Sequence, residues 1–131
     1  MSYKDSIGKI GEEMVADFLK SKGYIITSKN YRSKFGEIDI VAESREYILF
    51  IEVKTRKKGS MTTPAEAVNR PKQKKIVLTA YDFLSKFRAK INYRFDVAEV
   101  YYEITKDGEL KADLNYIKNA FTTEVLEGEP F

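Results

Sequence analysis

The chain has 131 residues, 43% of them hydrophobic and 33% charged, which fits one globular domain over 1–131 rather than a disordered chain. It contains no cysteine and no histidine, which excludes disulfides, thiolate zinc sites, cysteine nucleophiles, Ser-His-Asp hydrolysis and imidazole acid–base chemistry. The formal net charge of +3 is mild, so the placement of the charges says more than their sum.

The opening MSYKDSIGKIGEEM is polar and is no signal peptide. No apolar run approaches the length of a membrane span, so a soluble cytoplasmic protein is expected. Ile7 to Leu19 reads as an amphipathic helix, with Ile7, Ile10, Met14, Val15, Phe18 and Leu19 on its apolar stripe. Glu13 points away from that stripe, whereas Glu12 lies at its edge, where an acid can look toward a neighbouring sheet or simply face water. Gly23 suits a helix C′ position. Tyr24 to Thr27 is a short strand, and Lys29 to Phe35 reads as a basic connection whose Arg32 and Lys34 suit phosphate contacts or a solvated loop.

The next stretch, GEIDIVAESREYILFIEVKTR, holds two strand-forming runs, Glu37–Ala42 and Tyr47–Lys54, around a short polar link, so a hairpin is expected. Glu52 interrupts a run that otherwise reads as a strand buried on both faces, and a carboxylate there must be paired or hold a metal. A turn centred on Ser44-Arg45 sets Ala42 opposite Tyr47, Asp39 opposite Phe50 and Glu37 opposite Glu52. Alternation then puts Glu37, Asp39, Phe50, Glu52 and Lys54 on one face. Asp39 and Glu52 become diagonal neighbours, roughly 7–8 Å apart at Cβ, within reach of one bridging cation. Spacing alone leaves open a second reading, cross-strand ion pairs on a solvated face, each worth less than about 1 kcal/mol.

Arg56 to Thr63 reads as a loop, followed by a short helix from Pro64 to Asn69 with Thr63 as N-cap. A second helix is expected from about Pro71 to Phe87. Its first turn carries Lys72, Gln73, Lys74 and Lys75, three of them cations set against the helix macrodipole, which suggests an anionic partner or a solvated end. Together with Arg56, Lys57, Lys58 and Arg70 these form a basic segment, and Arg56, Lys57, Lys58, Arg70, Lys72 and Lys74 are the candidates for phosphate contact. Ile91 to Tyr102 alternates as a long strand, Asp107-Gly108 marks a tight turn, and Leu110 to Ile117 returns as an edge strand. From about residue 122 the tail is acidic and is expected to be flexible. The order of elements gives an α/β or α+β fold with a mixed sheet.

Asp39 followed, after an apolar strand, by Glu52-Val53-Lys54 resembles the PD-(D/E)XK nuclease signature. More specifically, GEE at 11–13, GY at 23–24, NYR at 30–32, GEIDIVA, FIEVKTR, PAEAV at 64–68, RFDV at 94–97 and NAF at 119–121 resemble the YraN family, small bacterial proteins similar to archaeal Holliday junction resolvases. The resemblance spans most of the chain and implies an α/β fold with a restriction-endonuclease-like αβββαβ core. It implies Mg²⁺ or Mn²⁺ held by Asp39 and Glu52, with the carbonyl of Val53 as a further ligand. Lys54 would position or activate water, as an ammonium that the neighbouring carboxylates keep protonated. Glu12 would be the helix acid of the site. Ile38-Asp39 stands where the family signature has Pro-Asp, and Gln73 is a candidate for the additional helix residue that many such nucleases carry. The implied activity is metal-dependent cleavage of branched or structured DNA, for which a homodimer would cut two strands symmetrically. The alternative is an inactive nucleic-acid-binding module on the same fold.

Overall fold

In the computed structural model, which describes residues 3–60, 68–87 and 90–127, the chain begins with helix α1, Tyr3–Ser21. The apolar stripe drives α1 onto a sheet: Val15, Ala16 and Leu19 pack against Ile40, Ala42, Leu49, Ile51, Val53, Ala98 and Val100. Gly23, at φ 92°, ends the helix in the left-handed region that favours glycine. Strand β1 runs Ile25–Ser33, β2 runs Gly36–Glu43 and β3 runs Ile48–Lys57. The Lys29–Phe35 stretch expected to be a connection is therefore strand as far as Ser33, paired along its length with β2.

Helix α2, Arg70–Leu84, crosses the opposite face of the sheet, where Ile76, Val77, Ala80 and Phe83 meet Ile38, Val41, Ile48, Phe50, Phe95 and Val97. Its N-cap is Asn69, whose Oδ1 accepts the Lys72 N–H at 3.1 Å. Strand β4 is Tyr93–Ile104, and β5 is Leu110–Phe121, turned through Gly108 at φ 81°. The sheet order is β1-β2-β3-β4-β5, all antiparallel except β3 and β4, which run parallel and need the α2 crossover between them. The expected mixed sheet between helices is the fold observed, consistent with a restriction-endonuclease-like core, and β5 is the expected edge strand. Within the segment read as a flexible acidic tail, Thr123–Leu126 forms a 3₁₀ turn that buries Val125 in the α2-side core. The expected helix over 64–69 lies largely outside the described residues; Val68 and Asn69 are not helical.

β3 is the central strand, and Ile48 to Val53 are all buried, as a strand covered on both faces requires. Its hairpin with β2 differs in register from the expected one: Glu43 pairs with Ile48, Ala42 with Leu49, Val41 with Phe50 and Ile40 with Ile51. The cause is a longer turn. The Ser44 N–H donates to the Tyr47 carbonyl at 2.9 Å, and Ser44 Oγ accepts from the N–H groups of Glu46 and Tyr47, so Tyr47 belongs to the turn. The slip is two residues, so it moves partners without turning β3 over.

Candidate functional site

The β2–β3 ladder stops at Ile40–Ile51. In the same register Asp39 would next face Glu52, but the strands part there, and the Val53 N–H donates to Asp39 Oδ2 at 2.8 Å instead of to a backbone carbonyl. β2 also twists over at this point. Ile38 packs on the α2 side and Ile40 on the α1 side, although strict alternation puts both on one face. Across from Asp39 in the β1–β2 register is Asn30, at φ 56°, a left-handed residue that re-aims a strand. The shared face expected for Glu37 and Glu52 is lost in this twist. Glu37 pairs with Arg32 at 3.4 Å.

The parted strands open a cleft of about 380 Å³, lined by Gly8 and Glu12 of α1, Asp39 of β2, Glu52 to Arg56 of β3, and Lys72 of α2. Glu12, Asp39, Glu52, Val53 and Lys54 are thus brought together. Glu12 reaches the cleft because Gly11 lets α1 lie against β3: a Cβ at Gly11 would stand 2.1 Å from Thr55 Oγ1. Burial, with Glu37 and Glu52 nearby, raises the Glu12 pKa above the ordinary glutamate value despite Lys29. Asp39 is pushed up to about 7, chiefly by burial and by the negative charge of Glu52, against the Val53 hydrogen bond.

Glu52 is only 4% exposed, and its Oε1 lies 2.6 Å from Lys72 Nζ and 3.5 Å from Lys54 Nζ. Burial works against the charge of Lys72, yet the hydrogen bond to Glu52 wins and raises its pKa. Lys54 goes the other way: burial and the Lys72 ammonium push it below the ordinary lysine value, outweighing Glu52. Glu52 favours the ammonium of Lys54, as expected, but burial and then Lys72 work against it.

Of the basic residues expected at phosphates, Arg56 and Lys72 line this cleft, and Arg32, Lys34, Lys57, Lys58, Arg70 and Lys74 do not. Lys34 lies over the Phe35 ring, Lys58 bridges Glu103 and Asp113 at 4.0 and 3.5 Å, and Arg70 Nη2 reaches the Glu127 carbonyl at 3.5 Å. Arg56 Nε is buried and has no hydrogen-bond partner. Gln73 turns back to donate to the Val68 carbonyl at 2.9 Å, so Lys72 occupies the place considered for it.

Two further acids are buried, and both are saturated within β4 and β5. Asp96 accepts from Arg94 Nε and Nη2, the Tyr116 hydroxyl and the Asn119 N–H. Glu99 accepts from the Tyr101 hydroxyl and Asn115 Nδ2. A larger cleft, about 520 Å³, lies by the β2–β3 turn, but none of its ionisable residues is buried.

Among the described residues no three acids stand together at metal-holding distance. The donor set is smaller: two carboxylates, Asp39 and Glu52, with the backbone of Val53 lining the same cleft. These are hard oxygen donors of the kind that Mg²⁺ and Mn²⁺ take from proteins, with water completing the shell. Burial, and after it the charge of Glu52, oppose ionisation of Asp39, and a divalent cation between the two carboxylates would offset both. Among the described residues no helix is long and apolar enough to cross a membrane.

Comparison with known proteins adds a family. The model of the uncharacterised protein family UPF0102 matches residues 11–100. A UPF0102 protein of Caldicellulosiruptor saccharolyticus is 42% identical over 119 residues, 90% of this chain and 98% of the relative. One from Alkaliphilus oremlandii is 44% identical over 118 residues, 88% of this chain and 97% of the relative. A third, from Dictyoglomus thermophilum, is 40% identical over 116 residues, 88% of this chain and 96% of the relative.

Proposed function

The chain belongs to the YraN family, UPF0102, and from that premise we propose that it is a cytoplasmic, Mg²⁺- or Mn²⁺-dependent endonuclease acting on branched or structured DNA. The observation that carries the reading is the parting of β2 and β3 at Asp39 and Glu52, which places the buried Glu52, the half-buried Asp39 and Lys54 in one open cleft. The resemblance to Holliday junction resolvases narrows the substrate to branched DNA and makes a homodimer part of the proposal.

In this reading Asp39, Glu52 and the Val53 carbonyl hold the cation. Bound there, it lowers the pKa of its water and withdraws charge from the phosphate. Lys54 is half-buried beside Glu52, so its ammonium can orient the attacking water and stabilise the charge that develops on the phosphate. Glu12 faces the cleft from α1 and accepts a hydrogen bond from a second water. Arg56, with a buried and unpartnered Nε at the rim, meets phosphate.

The test is single-turnover cleavage of linear, flapped and four-way-junction DNA with Mg²⁺ and with Mn²⁺. Wild type is expected to cut the branched substrates, Asp39→Ala to cut none, and Lys54→Ala to lose a factor on the order of 10²–10³ while binding within a few-fold of wild type. A wild type that binds the junction but cuts nothing with either metal overturns the enzyme reading. It would favour the binding module, a reading to which the 2.6 Å Lys72–Glu52 pair lends its own support by neutralising the proposed ligand.

A further inference from the structure

A carboxylate as deeply buried as Glu52 is costly without a cation in contact. Two ammonium groups share one of its oxygens, and they arrive by different routes. Lys54 belongs to β3 itself and its side chain is 22% exposed; Lys72 reaches in from the first turn of α2, and its side chain is 40% exposed. Lys72 therefore makes the shorter contact from the more open position. Its first turn holds no acid, so its charge stands against the helix dipole and is compensated from outside the helix, by Glu52. The backbone N–H of Lys72 is fixed separately by Asn69. The side chain can leave Glu52 without uncapping the helix.

A cation held by Asp39 and Glu52 competes with Lys72 for the same carboxylate. With all six ionised, Glu12, Asp39 and Glu52 balance Lys54, Arg56 and Lys72; a divalent cation makes the cleft positive, and a phosphodiester offsets part of that charge. We propose that Lys72 is the resident counter-ion of Glu52, that it cedes the carboxylate to the incoming divalent cation, and that its released ammonium then takes a phosphate oxygen of the DNA. This rests on the metal-binding reading above. It assigns Lys72 a role that Lys54 does not share: Lys54 stays on the strand, and Lys72 exchanges partners.

The exchange is read without any cleavage. In wild-type protein, acetylation of Lys72, followed by mass spectrometry with exposed Lys90 as internal reference, is expected to rise severalfold on adding Mg²⁺. It should fall again when four-way-junction DNA is added with Ca²⁺ replacing Mg²⁺ to hold cleavage off. Unchanged Lys72 reactivity at saturating Mg²⁺ overturns the exchange, and reactivity that stays high with DNA overturns the phosphate contact. In parallel, titration calorimetry with Mn²⁺ on DNA-free protein compares wild type, Lys72→Met and Lys72→Arg. Removing the competing charge is expected to tighten Mn²⁺ binding about tenfold in Lys72→Met, or about 1.4 kcal/mol, with Lys72→Arg close to wild type. Equal affinity in all three overturns the exchange alone. Mn²⁺ bound by none of them overturns both this proposal and the metal reading on which it rests.

Discussion

Asp39 accepts the Val53 N–H through Oδ2 while burial and Glu52 resist its negative charge. With its folded pKa near 7 and its ordinary value at 3.8, it favours the fold in its protonated form. That contribution is complete below about pH 4 and is lost as pH rises to about 7, by ~1.4 kcal/mol for each pH unit crossed in that window. Asp39→Asn keeps an acceptor for Val53 and removes the charge. Urea unfolding of the metal-free proteins from pH 4 to 8 is expected to show the variant gaining on wild type with rising pH and keeping its lead above pH 7. A constant difference across the series would refute the assignment. Asp39, Glu52 and Lys54 were legible in the sequence because an acid inside an apolar strand is an anomaly that can be seen one residue at a time. The Lys72–Glu52 pair was not. It joins residues on either side of a crossover, and the only sign of it was an unexplained run of cations at a helix start.

At the scale of elements, the two-residue slip of the hairpin left β3 the right way round because strand faces repeat every second residue. The reading of β2 failed at Glu37 because β2 twists over at Asp39 and sets Ile38 and Ile40 on opposite faces, against the alternation that the reading assumed. The approach of α1 to β3 was equally hidden, although a glycine inside an amphipathic helix carries a cost of about 1 kcal/mol against alanine and so marks a place with a reason. That reason is Thr55. A methyl at Gly11 would clash with Thr55 Oγ1, and Thr55 Cβ, which side-chain rotation does not move, would still stand at 3.2 Å. Gly11→Ala is expected to gain helix propensity yet lose about 1–2 kcal/mol net, since overpacking costs up to about 3 kcal/mol. Adding Thr55→Ala should recover most of the loss. Thermal unfolding of the two single variants and the double variant checks this, and additive effects would show that the two positions do not meet.

For the whole molecule, the class of fold was legible from the order of apolar runs, since a strand meander followed by a helix and further strands permits few arrangements. Which strands run parallel was not written in any one segment. It follows from α2 crossing the sheet, and that crossing has a bearing on how the chain reaches its fold. β1, β2 and β3 pair through turns of a few residues, as do β4 and β5, whereas Ile48 meets Tyr93 and Lys57 meets Tyr102 only after the whole crossover has closed. Closing that span costs roughly 2 kcal/mol more in chain entropy than closing the β2–β3 turn. The meander is therefore expected to form before the parallel pairing, with pulsed amide exchange protecting Leu49 and Ile51, whose N–H groups face β2, ahead of Ile48 and Phe50, whose N–H groups face β4; simultaneous protection would refute the order. Asp39 and Glu52 then come together while Lys72 is still on an undocked segment. The nascent chain passes through a stage in which the acids have met and one of their cations has yet to arrive, so acidity of the medium is expected to speed that early step rather than the later docking.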